Sequence, residues 1–122
     1  MTTVLYVDDE PGMRTVVRRQ MERRGHTVHT AESIAEAKMR LDQDTIHGAF
    51  IDLWLGDGTG FDLYAWMQEN HPAVSARVVF VTGDIAENTE ARRSLTALGR
   101  PVFGKPLDFV AMERQVSAWD DR

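Results

Sequence analysis

Asp8, Asp9, Asp52, Thr82 and Lys105 are the side chains whose type and spacing could do chemistry, because each stands at or just past the end of a short apolar run. Asp8 and Asp9 follow Val4-Leu-Tyr-Val7, Asp52 follows Gly48-Ala-Phe-Ile51, Thr82 follows Arg77-Val-Val-Phe-Val81, and Lys105 comes shortly after Val102-Phe103. Apolar runs bounded by turn signals read as buried strands. If those strands are parallel, their carboxyl ends share one edge, where open α/β sheets place their ligand crevices. The three aspartates carry three negative charges and Lys105 reduces the excess to two, so one divalent cation would neutralise the group. Hard oxygen donors without cysteine or paired histidine suit Mg²⁺, or Mn²⁺ as its near substitute.

The elements that must position these residues alternate along the chain. A strand over 4–7 leads through Asp8-Asp9-Glu10 into a helix that Pro11 starts and Gly25 stops, with Val16, Val17 and Met21 on its apolar face. A weaker strand over 26–30 precedes a helix opened by Ser33 and Glu36, which have capping-box spacing. After Asp52 three glycines fall within five residues, then Phe61, Leu63, Tyr64 and Met67 mark a helix ending before His71-Pro72. The spacing predicts a thinly apolar helix over 85–98, a short strand at 102–103 and a last helix capped by Asp108. Five buried strands alternating with five helices predict a doubly wound, flavodoxin-like α/β fold with sheet order 2-1-3-4-5.

Composition narrows the function classes. With 122 residues the chain is expected to form a single domain over 1–122. Its net charge of -5 argues against nucleic-acid binding, and the lack of cysteine excludes disulfides and thiolate metal sites. Neither a leader nor an apolar window of bilayer length is visible, so the expected setting is cytoplasmic, without a membrane contact. The four histidines are expected at the surface.

Each chemical fragment taken singly has an ordinary explanation: an acidic run before proline is a solvated helix start, and an aspartate at a strand end is a turn former. Their joint placement carries the argument. Val7-Asp8-Asp9-Glu10-Pro11, Asp52-Leu-Trp-Leu with Gly58 and Gly60, Val81-Thr82-Gly83 and Lys105-Pro106, in this order, resemble the receiver domain of two-component response regulators over essentially the full chain. The resemblance implies that Asp52 accepts a phosphoryl group from a phosphohistidine on a histidine kinase or histidine phosphotransfer protein. It implies Mg²⁺ on Asp8, Asp9, Asp52 and the Trp54 carbonyl, and phosphoryl contacts from Thr82, Lys105 and the backbone of Leu53 and Gly83. It also implies a cis Lys105–Pro106 bond and output through a downstream protein target, without turnover of an external substrate.

Several positions depart from the pattern. Receivers often carry an aromatic residue three before the lysine; here Val102 stands there, and Phe103 follows it on what is expected to be the opposite face. Output is therefore expected to run mostly through shifts of the loops and of the thinly anchored helix over 85–98. Trp54 and Asp84, each two residues past a site residue, are expected to tune the reaction, with Trp54 screening the acyl phosphate from water. Leu98-Gly-Arg-Pro101 and the glycine turn resemble receivers attached to hybrid histidine kinases, and the lack of an output domain after Trp119 fits a stand-alone or excised receiver. A dehalogenase-type phosphatase would need an acid where Trp54 stands. A flavodoxin-like cofactor binder would need a phosphate loop where three acids stand.

Overall fold

Alternating apolar strands and amphipathic helices build one parallel sheet with a helical layer on each face. A computed structural model describes residues 2–83 and 89–120. In chain order the elements are β1 (Thr3–Val7), α1 (Pro11–Arg23), β2 (Thr27–Ala31), α2 (Ile34–Gln43), β3 (Gly48–Asp52), β4 (Trp54–Leu55), β5 (Gly58–Thr59), α3 (Gly60–Asn70), α4 (Pro72–Ser75), β6 (Val78–Thr82), α5 (Thr89–Leu98), β7 (Val102–Gly104) and α6 (Phe109–Ala118). The main sheet runs β2-β1-β3-β6-β7, all parallel, which is the 2-1-3-4-5 order expected of its five strands. The expected start of the fourth long helix at Ile85, and Asp84 before it, lie outside the described residues.

Two elements escape the sequence pattern. Pro72 ends α3 as expected, but it also opens the single turn α4, so the described residues hold six helices where five were expected. The glycine turn after Asp52 contains a two-stranded antiparallel ribbon, pairing Trp54 with Thr59 and Leu55 with Gly58. Neither is long enough to show a hydrophobic period.

Strand alternation sorts the core into two layers. Leu5, Val7, Ala49, Ile51, Val78 and Phe80 point to the face covered by α2, α3 and α5. Val4, Tyr6, Phe50, Val79 and Val81 point to the face covered by α1 and α6. β3, the middle strand, is buried along its whole length, as a strand covered on both faces should be. In α5 the apolar stripe is narrow: Ala91 and Leu95 are buried and Leu98 packs partly. Val16 is an exception to the expected face of α1, being 40% exposed while Val17 and Met21 are buried.

The helix starts show how side chains replace missing backbone partners. Ser33 accepts from the Glu36 N–H as expected, but Glu36 bonds back to the Glu32 N–H, one residue earlier than a capping box requires. The complete capping box belongs instead to Thr59 and Asp62 at the start of α3. Asp108 caps α6 through the Val110 and Ala111 N–H groups. His26 corrects the surface expectation for the histidines: it is 9% exposed, with Nε2 3.2 Å from Glu113 on α6.

Gly60 ties this framework to the strand that carries Asp52. A Cβ at position 60 would lie 2.7 Å from the Asp52 carbonyl oxygen and 3.3 Å from Leu53 Cα, and backbone cannot yield as a side-chain tip can. Gly60→Ala is therefore expected to lower unfolding stability by about 1–3 kcal/mol through overpacking. Urea denaturation measures it, and an unchanged midpoint would contradict this packing.

Candidate functional site

The carboxyl edge of the sheet gathers the polar residues that its strands deliver. Lys105, just past β7, places Nζ 2.9 Å from Asp52 Oδ2, 3.0 Å from Asp8 Oδ2 and 3.2 Å from Glu10 Oε1. Asp8 and Asp52 are buried, while Glu10 lies at the exposed rim. Oxygens of Asp8, Glu10 and Asp52 lie within 4.8 Å of one another, so a single cation could touch all three. Three carboxylates around one ammonium leave an excess of two negative charges. The donor set is all oxygen and already gathers around a cationic group, so a hard divalent cation fits it.

Local backbone geometry aims each group. The Asp8 N–H extends the β1–β2 ladder to the Ala31 carbonyl, then Asp8 Oδ1 accepts from the Glu10 N–H and turns the chain into α1. Arg14 of α1 reaches back to donate to the Asp8 carbonyl and lies 3.7 Å from Glu32. Asp52 Oδ1 accepts from the Trp54 N–H at 3.2 Å, which leaves Oδ2 directed at Lys105. Lys105 is set by its own N–H, which donates to the Thr82 carbonyl, and the Lys105–Pro106 bond is cis.

Electrostatics follows from this crowding. Burial pushes the Asp52 carboxyl above its ordinary range and the charge of Asp8 adds to the rise, against the Lys105 and Trp54 hydrogen bonds. Burial alone would discharge Lys105, but the hydrogen bonds and charges of Asp52 and Asp8 outweigh it and hold the ammonium above its ordinary range. Tyr6 was missed by sequence reasoning because it reads as an ordinary core residue of β1. Its fully buried hydroxyl donates to Asp8 Oδ2 at 2.7 Å. Burial first, then Asp8, keeps that hydroxyl protonated well above the usual tyrosine range.

The expected residues are distributed unevenly around this centre. Asp8, Asp52 and Lys105 meet in one cluster. Glu10 joins them although it was not expected to, and Asp9, exposed, is not a member of the group of three. Thr82 is buried at the end of β6, one residue beyond Val81, the register partner of Asp52. The Leu53 N–H donates to the Val81 carbonyl, so the amide that faces Asp52 is that of Trp54. A Cβ at Gly83 would meet Lys105 carbons at 3.7 and 3.9 Å, ordinary contact, so packing does not demand glycine there. Val102 packs with the α2, α3 and α5 layer and Phe103 with the opposite layer, its ring 5.9 Å from Phe50. Trp54 is 43% exposed and lines a 260 Å³ hollow with Phe61, Thr59 and Ala91.

The fold is a doubly wound parallel sheet with an acid–lysine centre at its carboxyl edge, and comparison with known proteins gives the family. The response regulator receiver domain model matches residues 4–117, so the chain belongs to that family and to two-component signal transduction. It is 37% identical over 86 residues to the alginate biosynthesis transcriptional regulatory protein AlgB of Pseudomonas putida, covering 70% of this chain and 19% of that protein. It is 36% identical over 80 residues to the photosynthetic apparatus regulatory protein RegA of Cereibacter sphaeroides, covering 66% of this chain and 42% of that one. The chain thus spans about a fifth to two fifths of these relatives. A response regulator receiver protein from Pseudomonas putida superposes with a TM-score of 0.85 at 24% identity, over 96% of each chain. TrrA from Thermotoga maritima, solved with Mg²⁺-BeF, gives 0.81 at 18% identity over 98% of this chain and all of that one, a likeness of fold. A hybrid-kinase type of receiver is not shown by these matches. Among the described residues no helix is long and apolar enough to cross a membrane.

Removing the Tyr6 hydroxyl tests the buried part of the site. Tyr6→Phe deletes a hydrogen bond to a charged group and is expected to cost about 1.5–3 kcal/mol at pH 7. A raised folded-state value stabilises fully below the unfolded tyrosine value of about 10 and is lost as pH rises above it. The wild-type chain should therefore lose stability above pH ~10 more steeply than Tyr6→Phe. Denaturation series at neutral and alkaline pH measure both, and equal midpoints at pH 7 would contradict the assignment.

Proposed function

We propose that residues 1–122 act as one receiver unit in which Asp52 takes a phosphoryl group from a phosphohistidine on a histidine kinase or phosphotransfer protein. The observation that supports this most is the buried Asp52 carboxylate, steered by the Trp54 N–H on one oxygen and the Lys105 ammonium on the other. A carboxylate attacks an anionic phosphoryl group only where charge is neutralised and the approach is in line. Asp8, Asp9, Asp52 and the Trp54 carbonyl would hold Mg²⁺ or Mn²⁺, with Glu10 as a further carboxylate at the rim. When bound, that ion supplies charge neutralisation and orientation of the phosphoryl oxygens. Lys105 would exchange its carboxylate partner for a phosphoryl oxygen, and the Thr82 hydroxyl and Gly83 N–H would bond the others. In this reading the Trp54 N–H takes the part first expected of Leu53, whose amide the sheet ladder holds.

In the transfer the phosphorus–nitrogen bond of the donor breaks as the Asp52 oxygen–phosphorus bond forms. The acyl phosphate later hydrolyses, so the domain is a phosphoprotein switch and not a turnover enzyme on an external substrate. Output is read by a downstream protein through altered contacts, in a cytoplasmic setting, with neither nucleic acid nor membrane bound by this domain directly. Val102 and Phe103 pack into separate layers, which favours a signal carried by α5 over one carried by an inward-swinging aromatic. The narrow apolar anchorage of α5 suits an element of low local stability.

Incubation with acetyl phosphate and Mg²⁺ is expected to label the chain stoichiometrically. Asp52→Ala or chelation of the metal should abolish labelling; persistent labelling of Asp52→Ala, or turnover of a phosphate ester, would overturn the reading. In the same assay Trp54→Ala should shorten the phosphoryl lifetime severalfold, since in this reading the exposed indole two residues past Asp52 screens the acyl phosphate from water. An unchanged lifetime would remove that role. Hydrogen exchange with and without beryllofluoride should change over 89–98, and identical protection there would rule out α5 as the carrier.

A further inference from the structure

The tip of the β4–β5 ribbon makes a contact that the phosphoacceptor reading leaves unused. Asp57 is exposed at that tip, yet both its carboxylate oxygens are committed to α2: Oδ1 accepts from the Ile34 N–H at 3.0 Å and Oδ2 from the Ala35 N–H at 3.1 Å. These are the first two donors of the helix, which its own turns cannot satisfy. The helix's own cap, Ser33, takes the third, the Glu36 N–H. A steric contact fixes the same junction, since Gly58, at φ 152°, lies so close to α2 that a Cβ would stand 2.7 Å from Ile34 Cδ1. The Ile34 N–H first, and then the Ala35 N–H, hold the Asp57 carboxyl below its ordinary range against slight desolvation, so the bridge stays charged at neutral pH.

The other end of the ribbon is the site itself. Trp54 pairs with Thr59 across the ribbon, and its N–H donates to Asp52 Oδ1 at 3.2 Å. Seven residues, 53–59, therefore separate Asp52 from the start of α3, and they are tied to α3 by the Thr59–Asp62 capping box and to α2 by Asp57. We propose that Asp57 is a positioning residue for the phosphoacceptor: its bridge from the ribbon to the start of α2 holds the Trp54 backbone against Asp52. Asp57 touches no reacting atom, and the proposal rests on Asp52 being the phosphoryl acceptor. A misplacement of about 1 Å in a reacting group can cost a hundredfold in rate, so a loop held at one end only would slow the reaction.

The test compares Asp57→Ala, Asp57→Asn and Ser33→Ala in the full chain. Ser33→Ala removes a cap bond from the same helix end without touching the ribbon, so it reports what loosening α2 does by itself. Two quantities are read: exchange of the Trp54 amide by NMR, and the rate of Asp52 labelling by acetyl phosphate at saturating Mg²⁺. Asp57→Ala is expected to raise the exchange and to cut the labelling rate by about tenfold or more, with the final extent of labelling unchanged. Asp57→Asn, which keeps one acceptor oxygen and the side-chain shape, should fall between, and Ser33→Ala should stay within about twofold of wild type. Equal effects of Asp57→Ala and Ser33→Ala, or raised exchange with an unchanged labelling rate, overturn the proposal. If wild type itself takes no label, the phosphoacceptor reading fails separately, and Trp54 exchange alone decides whether Asp57 holds the loop.

Discussion

Lys105 is the constraint on which the carboxyl edge of the sheet depends. Asp8, just past β1, and Asp52, at the end of the neighbouring β3, are withdrawn from water, and ionised carboxylates in such positions are costly unless paired and hydrogen-bonded. One ammonium serves both, together with Glu10, at 2.9–3.2 Å. The remaining lone pairs take the Tyr6 hydroxyl and the Glu10 and Trp54 N–H groups. The chain must therefore bring β7 beside β6 at a register that ends on Lys105, and the Thr82 carbonyl receives the Lys105 N–H to secure it.

That arrangement is stable yet incomplete in charge. A single ammonium cannot neutralise three carboxylates, and the surplus faces the rim where Glu10 is exposed. The same imbalance that would weaken a structural ion-pair cluster suits this all-oxygen group to a hard cation. Stability of the edge and readiness for chemistry thus come from the same four side chains.

The connectors after the strands supply precision. The β1–α1 turn is locked by Asp8 onto the Glu10 N–H and by Arg14 onto the Asp8 carbonyl. The connector after Asp52 is stiffened into a ribbon and held at two points, at its tip by Asp57 on α2 and at its far end by the Thr59–Asp62 box on α3. Short connectors with satisfied backbone groups hold catalytic atoms better than long loops do. On the far side, Val102 and Phe103 are each absorbed into a core layer, so β7 contributes Lys105 to the site and apolar packing to the rest.

Most of the architecture was legible in residue order, because apolar period and turn chemistry are local properties. The five strands, their 2-1-3-4-5 order, the caps at Ser33 and Asp108 and the joint edge of Asp8, Asp52, Thr82 and Lys105 all follow from runs, breakers and the handedness of parallel connections. What failed to show were side-chain contacts that no apolar period encodes. Tyr6 reads as core until Asp8, two residues on, is found against its hydroxyl; Glu10 reads as a helix start until Lys105 reaches it from far along the chain, and Asp57 as a turn acid until α2 stands beside it. The ribbon and α4 are too short to carry a period. The sequence by itself determined which groups end on one edge, since strand alternation and connection handedness decide that. Only the tertiary structure decided which oxygen each donor takes, because hydrogen bonds select among crowded acids by tenths of an ångström that no local pattern encodes.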